Sequence, residues 1–81
     1  MKEKIIIFLK EICPGADIIN STALMDDDIL DSISIVRLVD AIESDFGVEI
    51  TFSDISPENL NSVDAITRLV VKLSQGPDKD D

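Results

Sequence analysis

The sequence contains no histidine, tryptophan or tyrosine, and it has a single cysteine among 81 residues. The absence of histidine excludes the Ser-His, Cys-His and His-metal arrangements on which many catalytic sites depend. One cysteine cannot form an intrachain disulfide and fits a reducing cytoplasm. No run of about 18 apolar residues is present, and the N-terminus shows no cleavage-like stretch, so we expect neither a membrane span nor a signal peptide.

Carboxylates are the remaining candidates for catalysis or metal binding. They are plentiful, but nothing in their spacing distinguishes a catalytic pair from a solvated acidic face. A calcium loop of the EF-hand type that starts at Asp26 would need glycine sixth and glutamate twelfth, where this chain has Asp31 and Arg37. We therefore expect no specific metal site and no catalysis by this chain.

The charge is strongly and unevenly negative. The net charge is −10, and between Glu11 and Thr67 thirteen acids stand against a single base, Arg37. Binding to nucleic acid or to an anionic membrane requires cationic side chains, so this segment disfavours both. Two interpretations remain open, a surface that docks to basic patches on other proteins and an acidic surface that keeps the chain soluble.

The first half of the chain predicts two helices separated by a long connection. Residues 2–12 place apolar side chains at helical spacing, and Pro14-Gly15 ends that pattern. A second helix is predicted from about Ser32 to Asp45, with Gly47 as its stop. The connection between them, residues 13–30, has no clear periodicity, and we expect its apolar residues to attach it to the core: Ile18, Ile19, Leu24, Ile29 and Leu30.

The second half predicts a short helix and a final longer one. Residues 48–52 are rich in β-branched side chains and have no partner strand, which indicates an extended connector. Ser56-Pro57 is typical of the start of a short helix. Ser62 is a candidate cap for the last helix, whose inward residues are expected to be Val63, Ile66, Leu69, Val70 and Leu73. The fold class predicted is all-α, a small four-helix bundle of three longer helices and one short helix, formed by residues 1–75 and followed by a flexible tail at 76–81.

The second helix has two distinct faces. One is an apolar stripe expected to face the core, formed by Ile35, Leu38, Val39, Ile42 and Phe46. The opposite face is mixed and contains Ile33, Val36, Arg37, Asp40, Glu43 and Ser44. The one thiol, Cys13, falls at the end of the first helix, where a partly buried structural role is the default.

Ser32 stands where the acidic connection becomes this helix. Serine is a good helix cap, so Asp31 or Ser32 has an ordinary structural role available. The same position suits a phosphate attached to the hydroxyl, because a helix N-terminus offers free N–H groups and the positive end of the helix dipole. An adjacent acid such as Asp31 can help a modifying enzyme hold a metal ion on the incoming phosphate.

Three segments in this spacing resemble the acyl carrier protein family. They are Asp31-Ser32-Ile33 at the helix start, Phe46-Gly47 at its end, and Ser62-Val63-Asp64-Ala65-Ile66 at the start of the last helix. The resemblance implies that a phosphopantetheinyl transferase moves 4′-phosphopantetheine from coenzyme A to Ser32. The arm's thiol then carries acyl groups as thioesters, loaded by a ligase or synthase. Docking is expected along the mixed face through Ile33, Val36, Arg37, Asp40 and Glu43.

Departures from the family pattern leave the cargo open. Many fatty-acid carriers have acids where this chain has Ser34 and Arg37. The segment 52–60 is more similar to stand-alone carriers that work beside adenylate-forming ligases, including aminoacyl and D-alanyl carriers. The hypothesis is therefore a cytoplasmic, monomeric, non-catalytic carrier modified at Ser32. Its rival is an unmodified acidic interaction domain in which Ser32 only caps a helix.

Overall fold

The computed structural model describes residues 2–74, which form four helices. They are α1 (Lys2–Ile12), α2 (Ser32–Phe46), α3 (Pro57–Leu60) and α4 (Val63–Ser74), with a 3₁₀ turn at Phe52–Asp54. Residues 2–74 contain no strand, which confirms the predicted all-α bundle of three longer helices and one short helix. The predicted tail at 76–81 lies outside the described residues.

The core forms where α1 packs against α2 and α4. Each of these helices contributes fully buried aliphatic side chains, namely Ile5 and Leu9 from α1, Leu38 and Ile42 from α2, and Ile66 and Val70 from α4. Burying one such side chain contributes about 1.5–3 kcal/mol relative to leaving it in water. The predicted apolar stripes of α2 and α4 are thus confirmed, with Ile35, Val39, Phe46 and Leu73 only partly buried at their edges.

Glycine ends α2 as the sequence predicts. Gly47 adopts a left-handed conformation with φ of +69°, and its N–H donates to the carbonyl of Glu43 at 3.0 Å. This closes the last turn, because a residue without Cβ takes positive φ at little cost. The helix includes Phe46, one residue beyond the predicted end. The ring of Phe46 packs edge to face against that of Phe8 of α1, with the ring centroids 6.4 Å apart.

Three aliphatic side chains attach the long connection between α1 and α2 to the core. Ile18, Leu24 and Leu30 are buried, and Leu30 N–H donates to the carbonyl of Leu24 at 2.8 Å. Ile29 is partly buried, as expected of an anchoring residue. The prediction for Ile19 is wrong, since its side chain is 58% exposed. The chain turns at residues 18–20, and only the first of the two adjacent isoleucines faces inward.

Asn61, directly after α3, holds the middle of this connection. Its backbone carbonyl accepts the N–H of Leu24 at 2.9 Å, and its side-chain Oδ1 accepts the N–H groups of Met25 at 2.9 Å and Asp26 at 3.1 Å. Its Nδ2 donates to Asp26 Oδ2 at 3.1 Å. A segment without helix or strand hydrogen bonds thereby receives partners for three consecutive amides.

The segment between α2 and α3 begins as the extended connector expected from the sequence. Ile50 attaches it to α2, because its N–H donates to Glu43 Oε2 at 2.8 Å. The prediction fails at Phe52, where the chain enters the 3₁₀ turn. Among residues 2–74 no helix is both long enough and apolar enough to cross a membrane.

Candidate functional site

The N-terminus of α2 is capped by Asp31 and not by Ser32. Asp31 Oδ1 accepts the N–H of Ser34 at 2.8 Å, and its backbone carbonyl accepts the N–H of Ile35 at 2.9 Å. The backbone of Asp31 is extended, with φ of −81° and ψ of −177°, as is typical of a residue that precedes a helix. Ser32 is the first residue inside the helix, so the choice between the two candidate caps is resolved in favour of Asp31.

The hydroxyl of Ser32 has no structural role within residues 2–74. Its side chain is exposed, and no hydrogen bond joins it to any other group within residues 2–74. Two other serines contrast with it, because Ser21 Oγ accepts the N–H of Ala23 and Ser62 Oγ accepts the N–H of Ala65. Ser32 is therefore accessible to a modifying enzyme, and its modification removes no hydrogen bond from the described fold.

Electrostatics around Ser32 combine a helix dipole with an ionised carboxylate. The pKa of Asp31 lies below its ordinary value, mainly because the backbone N–H of Ser34 and then the Ser34 side chain bond the carboxylate, with the charge of Arg37 as the smallest cause. Asp31 is thus ionised at neutral pH. It therefore places a negative charge at the start of the helix, one residue before Ser32.

Cys13 is bonded to the chain segment that leads to Ser32. Its side chain is 8% exposed, and Sγ donates to the carbonyl of Ile29 at 3.3 Å. Burial raises the pKa of this thiol, an effect opposed by a hydrogen bond with the Ser34 side chain and increased by the charge of Asp31. The predicted structural thiol is confirmed, and it fixes the chain three residues before Ser32.

The mixed face of α2 is largely open to solvent. Ile33 is 68% and Val36 is 67% exposed, and Arg37 and Asp40 are exposed as well. Glu43 differs from these residues, because it is half-buried and bonded to the connector. Among residues 2–74 the ion pairs join Lys2 to Asp64 and Lys4 to Asp45, and Arg37 belongs to neither of them.

A shallow groove runs beside this face. It has a volume of about 240 Å³ and begins at Ile35, one helical turn after Ser32. Its walls are mainly apolar and are formed by Ile35, Val36, Val39, Asp40, Glu43 and Ile55. Sequence reasoning missed Ile55, because its side chain reaches α2 only through the folding of the connector.

Phe52 is a second residue that sequence reasoning missed. Its ring is 91% exposed, which makes it the most exposed large hydrophobic side chain among residues 2–74. The available signal was an aromatic residue between Thr51 and Ser53, which is an unusual setting for a core side chain.

Comparison with known proteins gives one finding. A family model described as a phosphopantetheine attachment site matches residues 13–70, from the end of α1 into α4. Neither the search of curated proteins nor that of solved structures found a match.

Proteins of this family carry a covalently attached 4′-phosphopantetheine group. The group requires an accessible hydroxyl, and Ser32 within the matched region provides one at a helix N-terminus, where a phosphate is electrostatically favoured. The residues present therefore fit the group. The chain belongs to the phosphopantetheine attachment site family of carrier domains.

Proposed function

We propose that this chain is an acyl carrier protein with 4′-phosphopantetheine attached to Ser32. When bound, the arm supplies a terminal thiol on which biosynthetic intermediates are held as thioesters for delivery between partner enzymes. The observation that carries the proposal is the exposed, unbonded hydroxyl of Ser32 in the first turn of α2, inside the matched region.

Five other serines of the matched region are less suitable than Ser32 as attachment sites. Ser21 and Ser62 use their hydroxyls as acceptors for backbone N–H groups, and Ser53 shares a hydrogen bond with Thr51. Ser34 is half-buried beside Cys13. Ser44 is exposed but lies in the last turns of α2, at the negative end of the helix dipole, which disfavours a phosphate.

The modification is a transfer from coenzyme A catalysed by a separate phosphopantetheinyl transferase. The Oγ of Ser32 attacks the phosphorus that carries the pantetheine half of the pyrophosphate, forming a phosphodiester. The adenosine bisphosphate half leaves, and the hydroxyl proton passes to a base of the transferase or to solvent. Asp31 caps the helix at this position, and its carboxylate would offer an oxygen ligand to a metal ion held by the transferase, which would supply charge stabilisation to the phosphate.

Partner enzymes dock on the exposed mixed face of α2. The face combines apolar side chains that exclude water with charges that select the partner, and its residues are Ile33, Val36, Arg37, Asp40 and Glu43. Arg37 distinguishes the face from a uniformly acidic one and selects a partner that places an acid opposite it.

The carrier itself performs no catalysis and acts as a monomer in the cytoplasm, where Cys13 stays reduced. The acyl group is fatty, polyketide or aminoacyl in nature, and the segment 52–60 favours the same carrier chemistry dedicated to an amino acid or D-alanine. In that case an adenylate-forming ligase loads the thiol. The rival function, an unmodified acidic interaction domain, is disfavoured because Asp31 already serves as the cap that it requires of Ser32.

Intact-mass measurement tests the proposal. The full chain is incubated with coenzyme A, Mg²⁺ and a broad-specificity phosphopantetheinyl transferase. We expect a gain of one phosphopantetheinyl group that Ser32→Ala abolishes and that Ser44→Ala, an exposed serine of the same helix, leaves intact. No gain, or a gain that survives Ser32→Ala, contradicts the proposal. Because Ser32 is not the cap, its replacement by alanine leaves the thermal midpoint nearly unchanged, which separates lost modification from lost folding.

A further inference from the structure

Phe52 exposes a large apolar surface that the described fold does not use. At 91% exposure its ring contributes almost nothing to the core. A polar residue would serve the turn equally well, because aromatic rings in contact with water gain no burial energy there. An aromatic side chain in this setting is typical of the anchor residues that bind pockets on other proteins.

The turn that carries Phe52 is held in place by hydrogen bonds on both sides. Asp54 Oδ2 accepts the N–H of Thr51 at 3.0 Å, and the carbonyl of Phe52 accepts the N–H of Ile55 at 3.1 Å. Asn59 Nδ2 donates to the carbonyl of Asp54 at 2.8 Å, which ties the turn to α3. A backbone fixed in advance loses little entropy when the ring is buried by a partner.

Phe52 is close to one wall of the groove. The 3₁₀ turn covers Phe52–Asp54, and the N–H of Ile55, directly after it, donates back to the carbonyl of Phe52 at 3.1 Å. Ile55 and Val36 of α2 both line the groove, and Ile33 is exposed one helical turn before Val36. We call Ile33, Val36, Ile55 and Phe52 the apolar strip.

The surroundings of this strip are acidic. Asp40, Glu49 and Glu58 are exposed, and residues 38–67 contain no lysine or arginine. The complementary surface is an apolar pocket flanked by lysine or arginine side chains. Arg37 lies at the end of the strip nearest Ser32, so the cationic part of the partner is expected to lie towards the turn.

We propose that Phe52 is a docking anchor for the phosphopantetheinyl transferase, which binds the apolar strip through a pocket flanked by cations. This rests on the proposed attachment at Ser32. The transferase is the partner that must contact Ser32 itself, because it forms the bond to Oγ. Its surface is thereby brought against the start of the strip, whereas enzymes that act on the distant thiol do not need to reach Ser32 itself.

The test measures the steady-state kinetics of modification with wild-type chain, Phe52→Ala and Phe52→Leu. For Phe52→Ala we expect the KM for the carrier to rise by about tenfold or more, with kcat within about twofold, since the ring acts in binding. Phe52→Leu restores part of the affinity. The matched control is Ile19→Ala, which removes a side chain that is 58% exposed outside the strip and leaves KM unchanged.

The salt dependence of KM provides a second test. Raising the salt concentration should increase KM for the wild type, and Glu49→Gln combined with Glu58→Gln should weaken that dependence.

Other outcomes overturn the inference in distinguishable ways. If Phe52→Ala has the same KM as the wild type and Ser32 still gains the expected mass, Phe52 is not a docking anchor, and the proposed function is unaffected. If light scattering shows that the wild type is a dimer and that Phe52→Ala is a monomer, the strip binds a second copy of the chain. That result contradicts the transferase as its partner. Absence of any mass gain on the wild-type chain overturns both. The thermal midpoint of Phe52→Ala confirms that the variant is folded, because so exposed a ring contributes little to stability.

Discussion

Asn61 and Asp26 hold each other by a reciprocal pair of hydrogen bonds. Asn61 Oδ1 accepts the Asp26 N–H at 3.1 Å, and Asn61 Nδ2 donates to Asp26 Oδ2 at 3.1 Å across a separation of 35 residues. The pair joins the acidic connection to the junction of α3 and α4. The same connection leads on to Ser32, the proposed attachment site.

Replacing Asn61 by alanine should destabilise the domain by about 1–3 kcal/mol, because the amides of Met25 and Asp26 lose their acceptor. Urea unfolding followed by circular dichroism measures the change. The matched control is Asn20→Ala, an exposed asparagine whose bonds to Asp17 are 3.3–3.4 Å long, which should cost less than about 0.5 kcal/mol. Equal losses of stability in the two variants would contradict a stabilising role for the Asn61 hydrogen bonds, which we call the Asn61 clamp.

The lowered pKa of Asp31 predicts a specific dependence of stability on pH. A carboxylate whose folded pKa is depressed stabilises the fold fully above its unfolded value, about 3.9, and loses that contribution as the pH falls through the folded pKa. Asp31→Asn keeps a capping side chain and removes the charge. The stability difference between wild type and Asp31→Asn should be constant above about pH 5 and should shrink below about pH 4.

Asp27→Asn serves as the control in the same titration, because Asp27 is exposed and caps no helix. A wild-type advantage over Asp31→Asn that persists undiminished at pH 2 is incompatible with an ionised cap.

Cys13 should react slowly with thiol reagents in the unmodified chain. Its side chain is buried and its pKa is raised by that burial, so little thiolate reaches the reagent at pH 7. We expect labelling at least about tenfold slower than that of a free cysteine thiol. After modification by the transferase, one equivalent should label rapidly. Rapid labelling of the unmodified chain would show that the buried thiol is accessible.

Repulsion among acids predicts that salt stabilises the fold. The net charge is −10, and the ion pairs Lys2–Asp64 and Lys4–Asp45 of residues 2–74 involve mostly exposed groups that contribute little. Screening should therefore raise stability, with each 1 kcal/mol shifting the thermal midpoint by about 4–8 °C. The combined variant Asp27→Asn and Glu49→Gln should show a smaller rise. A midpoint independent of salt means that the repulsion is unimportant.

Much of the fold was predictable because its signals are local. The apolar spacing of residues 2–12 and 63–73, and the glycine after Phe46, each depend on a few neighbouring side chains, and the structure confirms them. The assignment of the cap to Asp31 was not predictable, since aspartate and serine are both good caps and only the backbone conformation decides between them.

Features that depend on distant or unpatterned residues escaped the sequence. The Asn61 clamp joins residues 35 or more apart, and nothing in an asparagine marks such a partner. Ile19 follows a buried isoleucine in a segment without periodicity, so no rule indicated which of the two faces water. The turn at Phe52 is held by Thr51 and Asp54 side chains, and its exposed ring follows from that geometry.

The capping of α2 by Asp31 has a consequence for the proposed modification. Since the hydroxyl of Ser32 takes no part in holding the helix, attachment of the proposed arm would leave the capping hydrogen bonds of α2 in place. Under the proposed function, the unmodified chain is therefore already folded when a transferase reaches it, and the supply of working carrier follows the rate of modification.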